Sequence, residues 1–166
     1  HEDQDALKCV RLISQFHETM RFEEFTVERR EKYENFGSIR KKVLGDQICL
    51  HVKAYSSNEN PESFYEVIQE IIDSCLDQYC FFVIDLNKLD NIPMQLIWRW
   101  CKLFVHNRQW LKKNVRFTTI LSKNSNIHSA VNIGLKFYPP VRPVHIISNV
   151  KEVDIHINGD AYPSRS

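Results

Sequence analysis

One segment limits the possible folds of this chain more than any other: the run Cys80-Phe-Phe-Val-Ile-Asp-Leu86, which is apolar almost throughout and has the length of a β-strand. Apolar and polar residues do not alternate in it, as they would in a strand with one face in water. Both faces are therefore expected to be covered, which is typical of a strand in the middle of a parallel sheet. Because parallel strands are joined by crossovers that are usually helical, the run predicts an α/β fold.

Further strand and helix patterns lie on both sides of this run. Residues 39–44 and 47–55 flank Gly45 and predict an antiparallel hairpin. Residues 61–76 have one apolar face and predict a helix. The segments after the run are predicted as a helix from residue 91 to about residue 113, a strand at 117–121, a helix at 125–138 and a strand at 144–147.

This order predicts one layered α/β domain with a mostly parallel central sheet, a leading antiparallel hairpin and flanking helices. A chain of 166 residues fits a single domain, which we assign to residues 38–157. Residues 153–157 alternate like an edge strand, although a short helix after Asn149 is the alternative. Residues 1–37 are predicted as an N-terminal helix and a charged extension, with a strand near residues 25–27 as one alternative. Residues 158–166 are predicted to be a flexible tail.

The strand Phe82-Val-Ile-Asp85-Leu86 is followed by the loop Asn87-Lys-Leu-Asp90. After a hairpin and an amphipathic helix, this strand and loop resemble the STAS family, the sulfate-transporter and anti-sigma-factor-antagonist domains, over about residues 38–157. The resemblance implies a non-enzymatic docking module that binds its partner through this loop and the following helix. Bacterial antagonists of the family carry a phosphorylatable Ser or Thr after the loop Asp. Here Asn91 and Ile92 follow Asp90, so control by phosphorylation at that point is not expected.

The sequence has no motif typical of a catalytic or metal site. Only four glycines are present, and neither Gly-x-Ser-x-Gly, Cys-x-x-Cys nor His-Glu-x-x-His occurs. Cys49 and His51 are expected on one face of a strand, and His145 and His156 near each other, but a metal needs three or four convergent ligands. We therefore expect no enzymatic activity, no cofactor and no metal. The five cysteines form an odd set in core-like segments, which indicates free thiols and a cytoplasmic protein.

Polar residues follow the predicted parallel strands, at the edge where ligands bind in open α/β sheets. Helix capping is the favoured interpretation, because short polar side chains accept hydrogen bonds from the first turn of a helix. A ligand-binding crevice is the alternative. The residues concerned are Asp85, Asn87, Asp90, Ser122, Lys123, Asn124, Ser148 and Asn149.

Charge is unevenly distributed along the chain. Residues 1–90 contain 18 acidic and 11 basic side chains, whereas residues 91–151 contain ten basic and no acidic ones. On the predicted helix of residues 91–113, the bases are expected on the solvent side near Trp98 and Trp110. A solvated face, or packing beside the acidic helix of residues 61–78, would account for this pattern. An acidic protein partner, self-association, nucleic acid and an anionic membrane surface are the other interpretations.

The preferred hypothesis is a non-catalytic protein–protein interaction domain, and a structural subunit of a larger assembly is one form that this role would take. It would dock through residues 87–93 and the basic helix. The alternatives are a nucleic-acid-binding module that uses the basic segment 91–151, and a lipid or small-ligand carrier of Sec14-like type, which requires a large apolar cavity. The residues predicted to contact the partner are Asp85, Asp90, Asn91, Arg99, Lys102, His106, Lys113 and Arg116.

Overall fold

The computed structural model contains six strands in one sheet and describes residues 19–33, 37–54, 69, 72, 73, 75, 77–89 and 93–159. The strands are β1 (Thr26–Tyr33), β2 (Gly37–Leu44), β3 (Gln47–Ala54), β4 (Cys80–Asp85), β5 (Val115–Leu121) and β6 (Val144–Ile147). Four helices lie in the described ranges: α1 (Met94–His106), α2 (Arg108–Asn114), α3 (Ser125–Phe137) and α4 (Glu152–Gly159). A 3-10 turn spans Phe22–Glu24.

The strands lie side by side in the order in which they occur along the chain. Strands β1 to β3 pair antiparallel, and β3 to β6 pair parallel. The predicted α/β fold with a leading hairpin and a mostly parallel sheet is thus confirmed. Strand β4 lies between β3 and β5, and Cys80, Phe81, Phe82 and Val83 along it are buried, as the apolar run predicted.

A sheet that grows in one direction through right-handed crossovers places its crossover helices on one face. Helices α1 and α3 cover that face here, where Ile97 and Val131 pack with Val52 and Ile120. We call it the helical face. Burial of these aliphatic side chains between helix and sheet contributes roughly 1.5–3 kcal/mol for each one.

The opposite face is covered by the two ends of the described chain. The rings of Phe81 and Phe117 stack at 4.9 Å between centroids, and Phe25 meets Phe81 edge-on at 5.6 Å. Val153 and Ile157 of α4 are fully buried against these rings. We call this side the terminal face, because the described segments that cover it lie near the two ends of the chain and outside the crossovers.

Hydrogen bonds connect the two segments that close the terminal face. The backbone N–H of Met20 donates to Asn158 Oδ1 at 2.9 Å, and Asn158 Nδ2 donates back to the Met20 carbonyl at 3.0 Å. The backbone N–H of Phe22 donates to Asp154 Oδ1 at 2.8 Å. Segments more than 130 residues apart in sequence are therefore joined over the sheet.

The predicted helix of residues 91–113 is wrong in one respect, because two helices occupy its described part. The first helix, α1, ends at His106 and α2 begins at Arg108. Both the backbone N–H and the side-chain amide of Asn107 donate to the carbonyl of Leu103, at 3.1 and 2.9 Å. An asparagine side chain that binds nearby backbone in this way competes with the helix and favours its end. The spacing of apolar residues contains no sign of such a contact, so it did not reveal the break.

The edge strand predicted at residues 153–157 is also wrong, and the alternative helix after Asn149 is confirmed. Val153 and Ile157 are four residues apart, so they lie on one face of α4 as well as on one face of a strand. Asn149 Oδ1 accepts a hydrogen bond from the Lys151 N–H at 3.0 Å, next to the start of this helix. The alternative strand near residues 25–27 does form, as the start of β1, and it pairs with β2.

Most of the predicted helix of residues 61–76 lies outside the described residues, as do the predicted N-terminal helix and the tail beyond residue 159. Two described residues near the end of that helix, Ile72 and Cys75, are buried. They pack against Leu50 and Phe82 on the helical face, where a crossover between β3 and β4 is expected.

The start of β2 tests how closely the antiparallel strands approach. A Cβ atom added at Gly37 would overlap the carbonyl oxygen of Lys53, which belongs to the backbone and cannot rotate away. We expect Gly37→Ala to lower the free energy of unfolding by roughly 1–3 kcal/mol, measured by urea denaturation. Gly159→Ala is the control, because a Cβ there has nothing within 4 Å. Equal stability of the two variants would contradict the close approach.

Candidate functional site

The exposed side of α1 combines bases with apolar side chains. Arg99, Lys102 and His106 follow one another at helical spacing and are exposed. Trp98 and Val105, on the adjoining stripe, are each 38% exposed. The ring of Trp98 lies 6.0 Å from that of Phe137, the last residue of α3, which is 69% exposed. We call this set the α1 surface: Trp98, Arg99, Lys102, Val105, His106 and Phe137.

The structure brings together only three of the eight residues that the sequence predicted as a partner site, namely Arg99, Lys102 and His106. Asp90 and Asn91 lie outside the described residues. Lys113 belongs to α2, beyond the break at Asn107, and its Nζ lies 3.6 Å from Asp77 Oδ1. Trp110, expected beside these bases, is half-buried and stacks on Phe82 at 6.3 Å.

Asp85, one of the two remaining predicted residues, takes part in a series of turn contacts at the carboxyl ends of β4 and β5. Its Oδ1 accepts a hydrogen bond from the Asn87 N–H, and Asn87 Oδ1 accepts one from the Lys123 N–H, both at 3.0 Å. Asn124 Oδ1 caps α3 by accepting from the Asn126 N–H at 2.9 Å. Asn124 therefore caps a helix, as the sequence favoured for this edge, whereas the oxygens of Asp85 and Asn87 bind the backbone of loops instead.

Arg116 is buried, with 4% of its surface exposed, so its guanidinium does not face a partner. Its Nη1 donates to Gln47 Oε1 at 2.9 Å, and its Nη2 donates to the carbonyl of Ile157 at 2.7 Å. The prediction that Arg116 contacts a partner is therefore wrong, because its buried guanidinium binds other parts of the fold. Sequence alone could not distinguish Arg116 from the exposed bases. It lies in β5, a strand whose residues are all buried, and a short stretch of sequence does not show that burial.

Replacement of Arg116 tests its structural role. We expect Arg116→Met to lower the free energy of unfolding by roughly 2–4 kcal/mol, because two buried oxygens lose their charged donor. Lys113→Met is the control: this lysine is also basic, but it is half-exposed and its ion pair is worth less than about 1 kcal/mol. Urea denaturation measures both. Similar losses in the two variants would show that burial of Arg116 does not matter.

A cavity of about 290 Å³ lies between α1, α3 and the sheet, and the sequence pattern gave no indication of it. Its walls are almost wholly aliphatic and aromatic, with Ile84, Ile120 and Val144 from three neighbouring strands. Val105 and Phe137 line it as well as belonging to the α1 surface, so the cavity and the surface adjoin. The charged side chains that line it are Arg108 and Arg142.

The loop of residues 138–143 forms one side of this cavity and is held to β5. Arg142 Nε donates to the carbonyl of Val115 at 2.9 Å, and its Nη2 donates to that of Arg116 at 3.2 Å. The consecutive prolines Pro139 and Pro140 follow α3 and cannot continue it, so the chain turns away from the helix here. This termination was predicted, but the space it leaves depends on distances between elements.

His51 is a buried titratable group on the terminal face. Burial is the main cause that lowers its pKa to about 3, and the positive charges of Lys42, Lys53 and Arg40 lower it further. Its ring meets that of Phe22 edge-on at 5.2 Å. Within the described residues, its Nδ1 has no hydrogen-bond partner. The imidazole is therefore neutral in the folded protein at ordinary pH.

The low pKa of His51 predicts acid sensitivity. In the unfolded chain the pKa is about 6.5, so below that pH the unfolded state binds more protons and stability falls until about pH 3. We expect His51→Gln to reduce the loss of unfolding free energy between about pH 7 and pH 5 by roughly 2 kcal/mol, measured by urea denaturation. His106→Gln, at an exposed position, is the control. An unchanged pH dependence in His51→Gln would contradict the prediction.

The described cysteines are not placed for chemistry. Cys49, Cys80 and Cys101 have free thiols, and these three and Cys75 are buried. Burial raises the pKa of Cys101 to about 11 and also raises the pKa values of Cys49 and Cys80. Thiols with a raised pKa carry little of the nucleophilic thiolate at neutral pH, so these three are poorly reactive.

Two histidines expected near each other do meet on the terminal face. The rings of His145 and His156 stack at 3.5 Å between centroids, and each lies 6.0 Å from the ring of Phe117. Across the described ranges, no group of three or more His, Cys, Asp or Glu residues is arranged to hold a metal ion. In this part of the chain the pair serves to pack α4 on the sheet.

Comparisons with protein-family models, with curated proteins and with solved structures gave no match. No helix among the residues that the structure describes is long and apolar enough to cross a membrane. The α1 surface and the cavity beside it are the features of the described residues that suit the binding of another molecule.

Proposed function

We propose that this protein is a non-catalytic protein–protein interaction domain that docks an acidic partner on the α1 surface. The observation that carries the proposal is the exposure of Trp98, Val105 and Phe137 beside Arg99 and Lys102. Exposed apolar groups that adjoin one another mark interaction sites more often than isolated ones do. Tryptophan and arginine are also the residues that most often dominate binding energy at protein interfaces.

The charge of the surrounding segment favours an acidic partner. Residues 91–151 contain no aspartate or glutamate, so no carboxylate of this segment neutralises Arg99 or Lys102. Complementary charge speeds encounter and excludes partners of the wrong sign, while the apolar groups supply most of the affinity. A second copy of the chain is one such partner, since residues 1–90 carry 18 acidic side chains. In that case the domain would serve as a structural subunit of an assembly.

The resemblance to STAS domains implies the same mode of action and stays a prediction. It would extend the docking site from α1 to the loop of residues 87–93, including Asp90 and Asn91. A cytoplasmic location is part of the same proposal. It is supported by the free thiols of Cys49, Cys80 and Cys101, since free thiols persist in a reducing compartment.

Nucleic acid is the second candidate, and one observation favours it. Trp98 is exposed beside Arg99 and Lys102. An aromatic ring next to basic side chains suits single-stranded nucleic acid, because a nucleobase stacks on the ring while the phosphates meet the positive charges. Binding to nucleic acid would be removed by nuclease and would weaken steeply with salt. Docking of a protein would survive nuclease.

Charge reversal on α1 tests the proposed surface. We expect the double variant Arg99→Glu, Lys102→Glu to lose at least about tenfold in partner capture, because both bases would then repel an acidic surface. Capture is measured by pull-down from native lysate at low and moderate salt, with and without nuclease. The melting temperature should stay nearly unchanged, since both residues are exposed.

The double variant Arg30→Glu, Lys32→Glu is the matched control. It changes the net charge equally on the exposed side chains of edge strand β1, outside the α1 surface. It should capture the partner as the unmodified protein does. Full capture by the α1 variant at low salt would rule out the proposed surface, and capture that nuclease abolishes would favour nucleic acid.

A further inference from the structure

We propose that the cavity beside the α1 surface binds a small amphipathic anion, with an apolar body of about ten carbon atoms and one carboxylate-like head group. The proposal does not depend on the docking function, because Arg99 and Lys102 do not line the cavity. It concerns the space of about 290 Å³ between α1, α3 and the sheet.

The walls determine the apolar body of the ligand. Ile84, Ile120 and Val144 line the cavity from the sheet, and Phe104 and Leu135 line it from the two helices. A closed apolar cavity of about 150 Å³ takes up benzene, so a space twice as large accommodates roughly ten to twelve carbon atoms. Ligand sites of proteins are typically apolar pockets of about this size or larger, with a few polar groups that orient the ligand.

The charged lining residues determine the head group. The Nε and Nη2 of Arg142 already donate to the carbonyls of Val115 and Arg116, so this guanidinium contributes fixed positive charge to the cavity rather than paired hydrogen bonds to a ligand. Arg108 is exposed at the start of α2, and none of the described carboxylates forms an ion pair with it. Among the described residues, no acidic side chain lines the cavity. Guanidinium groups bind carboxylates and similar planar anions through paired hydrogen bonds, whereas a cationic head would be repelled.

Isothermal titration calorimetry on the full chain tests this proposal with three probes of equal chain length. Decanoate should bind with a Kd on the order of 10–100 µM. 1-Decanol, which lacks the charge, should bind at least about tenfold more weakly. Decyltrimethylammonium, which carries the opposite charge, should not bind. No heat from decanoate up to about 1 mM, or equal affinity for decanol, would overturn the proposal.

Two variants separate the head group from the apolar body. Arg108→Gln should weaken decanoate binding about tenfold and leave decanol binding within about twofold, because only the charged contact is lost. Val144→Phe should abolish binding of both probes by filling the cavity. Should Val144→Phe fail to fold, Arg108→Gln still decides the matter, because Arg108 is exposed. An unchanged affinity of Arg108→Gln for decanoate would overturn the proposed head-group site.

The charge-reversal variant of the α1 surface distinguishes this proposal from the docking function. Arg99→Glu, Lys102→Glu should keep the decanoate affinity within about threefold, since neither side chain lines the cavity. Decanoate binding that persists while partner capture is lost would support both proposals. Loss of decanoate binding in this variant would contradict a separate ligand site.

Discussion

The guanidinium of Arg116 connects two strands of the sheet to the last helix. It lies at the start of β5 and donates to Gln47 at the start of β3 and to the carbonyl of Ile157 in α4. A buried charge is costly unless its donors are satisfied, and both of these acceptors are neutral oxygens. The Ile157 carbonyl lies in the last turn of α4, where the helix dipole favours a cation. One side chain therefore contacts β3 and α4 from β5, in addition to the sheet pairing and the packing of α4.

The same region also determines where the cavity lies. The carbonyl of Arg116 accepts a hydrogen bond from Arg142, whose loop forms a wall of the cavity on the helical face. Arg116 thus points its side chain to the terminal face and helps to fix, through its backbone, the loop on the helical face. The pairing of β4 with β5 has a register shift beside this position, between Cys80 and Phe82, where regular alternation is interrupted. The cavity does not need its own structural support, since it shares that of the core.

The parts of the fold that sequence could predict are those that a local pattern specifies. The apolar run of β4 and the turn at Gly45, whose φ is +59°, each carry their information within a few residues. The prediction of a strand at residues 153–157 was wrong, because apolar residues four positions apart fit one face of a strand and one face of a helix equally well. The burial of Arg116 and the presence of the cavity were not predicted for a different reason. Burial of a base and an unfilled space both depend on how distant elements pack, which no window of sequence contains.

The acid-free segment of residues 91–151 proved to be several features rather than one. Arg99 and Lys102 face solvent, Lys113 pairs with Asp77, Arg116 is interior, and Arg108 and Arg142 line the cavity. A charge count along the chain therefore overestimates the surface that any partner meets. What unites these bases is the absence of nearby carboxylates from their own segment, which leaves anions as the natural complement both of the α1 surface and of the cavity.

Val105 and Phe137 give the two proposed sites a physical connection, because both residues are exposed on the α1 surface and both line the cavity. A ligand in the proposed cavity site would contact their inner sides, and a partner docked on the proposed surface would contact their outer sides. Any shift in the position of these side chains on binding one ligand changes the contacts available to the other. By thermodynamic linkage such an effect must be reciprocal, so a ligand that strengthens docking is itself held more tightly by the docked protein. If both proposed sites are occupied, the side chains of Val105 and Phe137 that they share would couple them without a conformational change elsewhere in the fold.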